Sequence, residues 1–344
     1  MTRRAPGLAA AFLVAALAVT FGAAAPMRAG AQAATARITG AITSGTPGVA
    51  IPDSVQVRVI VLEGSTVVEA IPATVSGGRY TATASIAPGR VFIPHLNYQG
   101  VDYFSEAASF TTGGSEATRD FLVYETTHEA PQLAILSSTV TVVAIDREQH
   151  QIGLLREDVV VNPGDRVFVG DAQGITLRIP ALPGTVDASG DNTDGRFALD
   201  GDMITTAAPI RPGRPTSIVT RYIVGYDAAA DQYALRVTSP LPAERIAVRV
   251  PVGYVGSVKA GTGARRAADE RPAPQEQGPV FQVVESTGSV RPGGGIVVNL
   301  AGLSTAAVQT NPLTGTRGAA IAAAIALAIV GGGTAAAMRW RRAA

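Results

Sequence analysis

Short stretches rich in β-branched residues alternate between apolar and polar positions through much of the chain. From Val55 to Val61 every odd position is Val, and the intervening positions begin with polar Gln56 and Arg58. A period of two is the pattern of a strand with one buried and one solvated face. Residues 36–128 contain no stretch with a helical period. The pattern therefore predicts an all-β region in this part of the chain.

Seven strands are predicted in a first unit, residues 34–128, with Gly, Pro or Ser between them. The segment 76–78, Ser-Gly-Gly, suits a tight reversal between two of these strands. Seven short strands at such spacing predict a β-sandwich of roughly 95 residues. The predicted strands are 36–42, 55–62, 67–75, 79–85, 91–98, 103–110 and 119–124.

A second β-sandwich is predicted for residues 129–304. The segment 162–165, Asn-Pro-Gly-Asp, has the Pro and Gly of a tight turn between two strands. Residues 261–279 combine Gly, Pro and mixed charges, and they predict a disordered insertion because they offer little apolar surface to bury. The predicted strands are 133–146, 156–161, 166–169, 175–179, 217–226, 232–237, 245–250, 281–285 and 295–300.

The order of elements in the first unit resembles a known family of bacterial surface domains. A strand ending at Gly40 is followed by strand 55–62, the Gly-Arg-Tyr of 78–80 and strand 91–98, and segments 98–103 and 123–127 are similar to recurring segments of that family. The resemblance is to the carboxypeptidase-regulatory-like, or transthyretin-like, β-sandwiches. It implies a module that supports, spaces or binds, and it covers only the first unit.

The N-terminal residues 1–33 have the three parts of a secretory signal peptide. Arg3 and Arg4 form a basic start, an uncharged apolar run covers 8–25, and Ala31-Gln32-Ala33 is a small-x-small cleavage site. A retained N-terminal membrane helix is the alternative interpretation.

The C-terminal part predicts a membrane anchor. Residues 318–338 contain no charged side chain and suffice to cross a bilayer as one helix. They follow a stalk, 305–317, and precede a tail, 339–344, that begins Arg-Trp-Arg-Arg. Because such Arg clusters stay on the cytoplasmic side, we expect a single-pass protein of the cell membrane with its bulk outside and its C-terminus in the cytoplasm.

Composition excludes several classes of function. The formal net charge is only +1, which provides no field for nucleic acid, so no nucleic-acid partner is expected. The chain has no Cys, which excludes disulfides and thiolate metal sites. It also lacks the motifs of a nucleophile elbow, a zinc helix and a phosphate loop. We therefore expect no enzyme activity, no catalytic residues, no cofactor and no firmly bound metal.

Three weaker candidate sites remain in the sequence. Residues 187–195 resemble a calcium loop in composition but not in the register of its ligands, so Asp187, Asp191 and Asp194 are a weak candidate for a Ca²⁺ site. The alternative interpretation of this segment is a solvated turn. The aromatic side chains of Tyr98, Tyr103 and Phe104 are a candidate ligand patch, against a reading as core and rim residues of the sandwich.

The third candidate lies just before the apolar segment. Asn311-Pro312-Leu313-Thr314-Gly315, an apolar span and a basic end follow one another in the order of a cell-wall sorting signal. In such signals a sortase cleaves between Thr and Gly, here Thr314 and Gly315. The alternative is a stalk that leads into a permanent anchor.

Together these features predict a non-enzymatic, membrane-anchored protein of the bacterial cell envelope. Its exterior domains would support or bind another envelope or membrane protein. The alternatives are a carbohydrate- or polysaccharide-binding surface module, an accessory protein of cytochrome assembly in envelope electron transfer, and a sortase-linked wall protein.

Overall fold

The computed structural model describes residues 34–110, 115–190, 196–273 and 278–305. Within these ranges every regular element is a strand, so the described part contains no helix that is long and apolar enough to span a membrane. The all-β prediction is confirmed for these residues, and their packed sheets are consistent with β-sandwiches. The signal peptide and the transmembrane helix predicted at 318–338 lie outside the described residues.

The first unit consists of two sheets that face each other. One sheet has the order β4-β5-β1-β8, with β9 also paired to β1, and the other has the order β3-β2-β6-β7. A short tenth strand, β10, follows at the end of the unit. The strands are β1 (Thr35–Ser44), β2 (Val57–Glu63), β3 (Thr66–Pro72), β4 (Thr74–Ser76), β5 (Arg79–Ser85), β6 (Arg90–Tyr98), β7 (Val101–Phe104), β8 (Glu116–Thr118), β9 (Phe121–Val123) and β10 (Thr126–Thr127).

Alternation along the strands places the first core between these two sheets. In β2, Val57, Val59 and Val61 are buried while Arg58 is exposed, as the period of two predicts. They pack with apolar side chains from the facing sheet, including Ile38 of β1.

The second unit is built around a seven-stranded sheet with the order β15-β18-β12-β11-β20-β23-β22. Smaller sheets, β19-β24-β21 and β14-β17-β16, complete the unit. Its strands are β11 (Ala134–Asp146), β12 (Gln151–Val161), β13 (Val167–Phe168), β14 (Leu177–Pro180), β15 (Thr185–Gly190), β16 (Phe197–Asp200), β17 (Met203–Thr206), β18 (Thr216–Gly225), β19 (Gln232–Thr238), β20 (Ile246–Pro251), β21 (Ser257–Ala260), β22 (Ala264–Arg266), β23 (Phe281–Ser286) and β24 (Gly295–Ala301).

The long hairpin of β11 and β12 forms the centre of that sheet. Its two strands are antiparallel from Ala134↔Val161 to Asp146↔Gln151, and β20 joins β11 in parallel. Both faces of these strands are largely covered, so buried residues occur in runs rather than only at alternate positions, and the buried residues include polar ones such as Ser138 and Arg156.

The prediction of a disordered insertion at 261–279 is wrong for its described part. Strand β22 pairs with β23 from Ala264↔Ser286 to Arg266↔Val284. Its charged side chains find partners, since Arg265 lies 2.7 Å from a carboxylate oxygen of Glu285. An edge strand gains its order from backbone pairing and needs little apolar surface of its own, which composition does not reveal. Residues 274–277 are outside the described ranges.

Candidate functional site

The two units meet at a junction that hydrogen bonds hold together. The buried hydroxyl of Thr46 donates to the carbonyl of Asp165, at 2.8 Å, and accepts from the backbone N–H of Glu125, at 3.0 Å. The backbone N–H of Val167 donates to the carbonyl of Glu125, at 2.8 Å. Backbone of the second unit is therefore bonded directly to backbone of the first.

Apolar packing crosses the same junction. Val167 is fully buried and belongs to the core of the first unit, although β13 comes from the second. Strands β10 and β13 pair in parallel, Thr126 with Val167 and Thr127 with Phe168. This combination of pairing and burial makes the junction a packed interface rather than a flexible linker.

A groove of about 460 Å³ lies beside this junction, between the ends of β7 and β9 and the turn 211–214. The guanidinium of Arg211 lies 5.4 Å from the centre of the Tyr103 ring, and its Nη2 donates to the carbonyl of Asp102 at 2.7 Å. Gly213 has φ of +75°, and a Cβ there would lie 2.7 Å from the Tyr124 hydroxyl. Glycine therefore lets the turn approach the first unit closely.

Two large apolar side chains are exposed at the groove. Phe104 ends β7 and is 51 % exposed, and Leu122 is the middle residue of β9 and is 53 % exposed. Large apolar groups at the surface mark interaction sites when they lie together beside polar groups. Charged residues of both signs line the same groove: Arg119, Arg211 and Arg214 with Glu106 and Asp120.

A polar cluster supports Phe104 from behind. The His95 ring lies 4.7 Å from the Phe104 ring, and its Nε2 is 2.9 Å from Oδ1 of Asp102. The Asn97 amide donates to the same oxygen, also at 2.9 Å. The Asn97 hydrogen bond and, after an opposing effect of burial, the His95 hydrogen bond lower the pKa of Asp102 below its usual range.

Arg119 braces the loop at the far side of the groove. Its three guanidinium nitrogens donate to the carbonyls of Glu106, Thr118 and Ala107, at 3.1, 2.8 and 3.2 Å. The Tyr80 hydroxyl donates to the Arg119 carbonyl at 2.6 Å. Because each of its three guanidinium nitrogens donates within the chain, Arg119 has a structural role here.

The aromatic patch predicted from Tyr98, Tyr103 and Phe104 does not form as one exposed surface. Tyr98 is 7 % and Tyr103 is 4 % exposed, which leaves only Phe104 as a surface ring. The Tyr98 hydroxyl donates to Glu125 at 2.6 Å, and burial together with this carboxylate raises the pKa of Tyr98 to about 12. Alternation along β6 and β7 turns both tyrosines inward, so the patch prediction is wrong for them.

The structure describes one member of the calcium candidate, Asp187. Asp187 lies in β15, opposite Ile223, and not in a turn. Asp191 and Asp194 lie outside the described residues. Among the described residues no group of three or more His, Asp or Glu side chains is arranged to hold a metal ion. The sorting motif Asn311, Pro312, Thr314 and Gly315 is likewise outside the described ranges.

Sequence reasoning missed Leu122 and Arg211 as members of the site. Leu122 sits in an apolar run, 121–123, that shows no alternation visible at the level of sequence. Arg211-Pro212-Gly213-Arg214 has the composition of a turn, and that was its only signal. Their proximity depends on how the two units pack.

Comparisons with known proteins do not assign this chain to a family. No protein-family model matches the chain, and no curated protein matches it. Among solved structures, it is similar to the M1 zinc metallopeptidase from Deinococcus radiodurans, with 11 % identity and a TM-score of 0.31 over 49 % of this chain and 42 % of that chain. A mutant of that peptidase bound to a Tyr-Ser-Ala substrate gives 10 % identity and the same TM-score and coverage. The match thus spans less than half of the peptidase, and a likeness this low carries no argument about activity.

Proposed function

We propose that this chain is a non-enzymatic, membrane-anchored protein of the bacterial cell envelope. Its exterior β-domains bind another envelope protein at the junction groove. The groove carries this proposal: it presents Phe104 and Leu122 to solvent beside Arg211 and Arg214, on a packed base. Exposed apolar groups with a polar, charged rim are the composition of a protein-binding surface.

The packed junction supports the same function. Thr46 and Val167 hold the two units at fixed positions, so the groove is formed before a partner arrives. A preformed surface avoids the entropy cost of ordering side chains and loops on binding. The proposal for the location rests on the sequence alone, namely the signal-like residues 1–33 and the apolar segment 318–338 followed by Arg.

Cysteine labelling tests the location, because the chain has no Cys of its own. Ser65→Cys places a thiol in an exposed turn of the first unit, and Ala343→Cys places one in the predicted cytoplasmic tail. A membrane-impermeant maleimide added to intact cells should label the first variant and spare the second until the cells are lysed. Equal labelling of both variants in intact cells would overturn the proposed topology.

Photo-crosslinking tests the binding surface. The photoreactive amino acid p-benzoylphenylalanine in place of Leu122 should give a discrete crosslinked species in native membranes. The same amino acid in place of Val67, which is 61 % exposed on edge strand β3, is the matched control and should give none. Identical crosslinks from both positions, or none from either, would remove the groove as the binding surface.

A further inference from the structure

The backbone of β9 is open on one side. Strand β9 pairs only with β1 among the described strands, and the carbonyl of Val123 accepts the N–H of Gly45 at 2.7 Å. Backbone groups of successive residues in a strand point in opposite directions within the sheet. The N–H and C=O of Leu122 therefore point away from β1, toward the groove.

The outward backbone groups two residues before and two residues after Leu122 are already hydrogen-bonded. The carbonyl of Asp120 accepts from the Ser105 hydroxyl at 3.2 Å. The N–H of Tyr124 donates to the Tyr103 hydroxyl, also at 3.2 Å. Side chains of the first unit thus form hydrogen bonds with the outward backbone groups of Asp120 and Tyr124. No described group forms one with the outward N–H or C=O of Leu122, which lies between them.

Strand β7 repeats this arrangement across the groove. The N–H of Ser105 donates to the carbonyl of Pro94 at 3.0 Å, so the alternate positions, Asp102 and Phe104, direct their backbone groups outward. The outward carbonyl of Asp102 accepts a hydrogen bond from Arg211 of the second unit. The outward N–H and C=O of Phe104 remain open within the described part of the chain.

The two positions with an open backbone are also those with an exposed apolar side chain. Phe104 and Leu122 are each about half exposed. An unpaired strand edge is a template for another strand, and apolar side chains beside it select what the added strand carries. A ligand that satisfies both features needs backbone N–H and C=O groups as well as apolar side chains.

We propose that the groove binds an extended peptide segment of the partner by strand addition. The segment pairs its backbone with Leu122 of β9 and Phe104 of β7, and it places apolar side chains on these two residues. The groove is lined by Arg119, Arg211 and Arg214 against Glu106 and Asp120, an excess of one positive charge that an acidic side chain of the segment complements. This inference rests on the proposed function and names the class of partner for the same site.

The volume of the groove agrees with a short segment rather than a folded domain. At about 460 Å³ it lies within the usual range of ligand pockets. Backbone hydrogen bonds would supply affinity, and the alternate side chains would supply specificity.

Proline at position 122 separates strand addition from other modes of binding. Leu122→Pro removes the outward N–H but no bond to β1, and proline is tolerated on an edge strand in that orientation. Leu122→Ala shortens the side chain and keeps the N–H, so it is the matched control. Circular dichroism and thermal unfolding of both variants would establish that each is folded.

The probe is a phage-displayed library of random ten-residue peptides, selected on the full-length protein in detergent. The best peptides are then synthesised unmodified and with N-methyl groups at alternate backbone positions. We expect Leu122→Pro to weaken binding by about tenfold or more, the equivalent of one lost hydrogen bond. Leu122→Ala and Phe104→Ala each remove one apolar side chain and keep the backbone N–H. We expect the peptide affinities of these two variants to differ by less than about threefold. N-methylation at one alternate set should abolish binding, while the other set is tolerated.

Two results would overturn the inference. One is a library that yields no peptide whose binding depends on Leu122 or Phe104. The other is peptide binding that Leu122→Pro and both N-methylated sets leave unchanged. If the partner still crosslinks at the groove in the Leu122→Pro protein, the proposed function stands and strand addition falls. If no crosslink forms from position 122 even though peptides bind as expected, the proposed function falls instead.

Discussion

Arg156 and Asp158 form an ion pair with no solvent exposure in the core of the second unit. Nε of Arg156 lies 2.9 Å from Oδ2 of Asp158, and Nη2 donates to Oδ1 at 3.1 Å. Nη2 also donates to the carbonyl of Thr238 at 3.0 Å. Because Arg156 and Asp158 are two residues apart on β12, their side chains point to the same face of the sheet. Burial opposes the charge of Arg156, yet the carboxylate of Asp158 raises the pKa of Arg156 above its usual range.

Removing one member of this pair should strongly destabilise the second unit. Asp158→Ala leaves a buried guanidinium without its carboxylate, and we expect a loss of about 3 to 5 kcal/mol in the free energy of unfolding. Urea unfolding monitored by circular dichroism measures it. The exposed pair Arg90–Glu63, at 2.7 Å, is the matched control, and Glu63→Gln should cost less than about 1 kcal/mol.

Replacing both members of the pair shows whether the destabilisation comes from the unpaired buried charge or from lost packing. Arg156→Met together with Asp158→Leu leaves no buried charge, so most of the stability should return. A double variant as unstable as Asp158→Ala would show that the volume at these positions matters more than the charge.

Thr46→Val should loosen the junction between the units. Thr46 is 3 % exposed, and valine has nearly its shape but neither donates to Asp165 nor accepts from Glu125. A buried N–H left without a partner costs about 1 to 3 kcal/mol. We expect a lower thermal midpoint and faster hydrogen exchange at Glu125 and Val167. Thr66→Val in the exposed strand β3 is the control, and an equal effect of both variants would contradict this role.

Gly45→Ala should displace Tyr124 from the junction. A Cβ at position 45 would lie 2.1 Å from Cε1 of Tyr124, closer than two carbon atoms can approach. We expect a destabilisation of about 1 to 3 kcal/mol, as for overpacking of a well-filled site. Gly288→Ala is the control, because no atom lies within 4 Å of the Cβ it would add. Thermal unfolding that treats the two variants alike would show that Tyr124 can move freely.

The Asp102 carboxylate should contribute stability that depends on pH. Its folded-state pKa is lowered, chiefly by the Asn97 hydrogen bond and then by that of His95, while burial opposes the shift. Such a group stabilises the fold above its unfolded pKa of about 3.9, and the contribution is lost as the pH falls through the folded-state pKa. Asp102→Asn should therefore lower the thermal midpoint at pH 7, and the deficit should shrink below about pH 4. A deficit that stays constant with pH would exclude this linkage.

Local patterning predicts most strands because the alternation of buried and solvated side chains is written into neighbouring residues. Strand β5 occupies the predicted range, 79–85, and β2 and β18 differ from their predicted ranges by one or two residues. Strand β7 begins two residues before its predicted range, 103–110, and ends at Phe104, after which the chain pairs with β6 again only through an isolated bridge between Ala108 and Phe92. Edge strands such as β22 were missed, since backbone pairing with a distant strand orders them.

The sequence by itself determined the all-β class of the described residues and the approximate positions of their central strands. Both follow from short-range periodicity and turn residues. The groove was decided only by tertiary structure, because Phe104 and Leu122 come from different sheets of the first unit and Arg211 reaches the same groove through the packing of the second unit. Whether Tyr98 and Tyr103 face solvent was decided there too, since the phase of a strand relative to its core depends on its partners in the sheet.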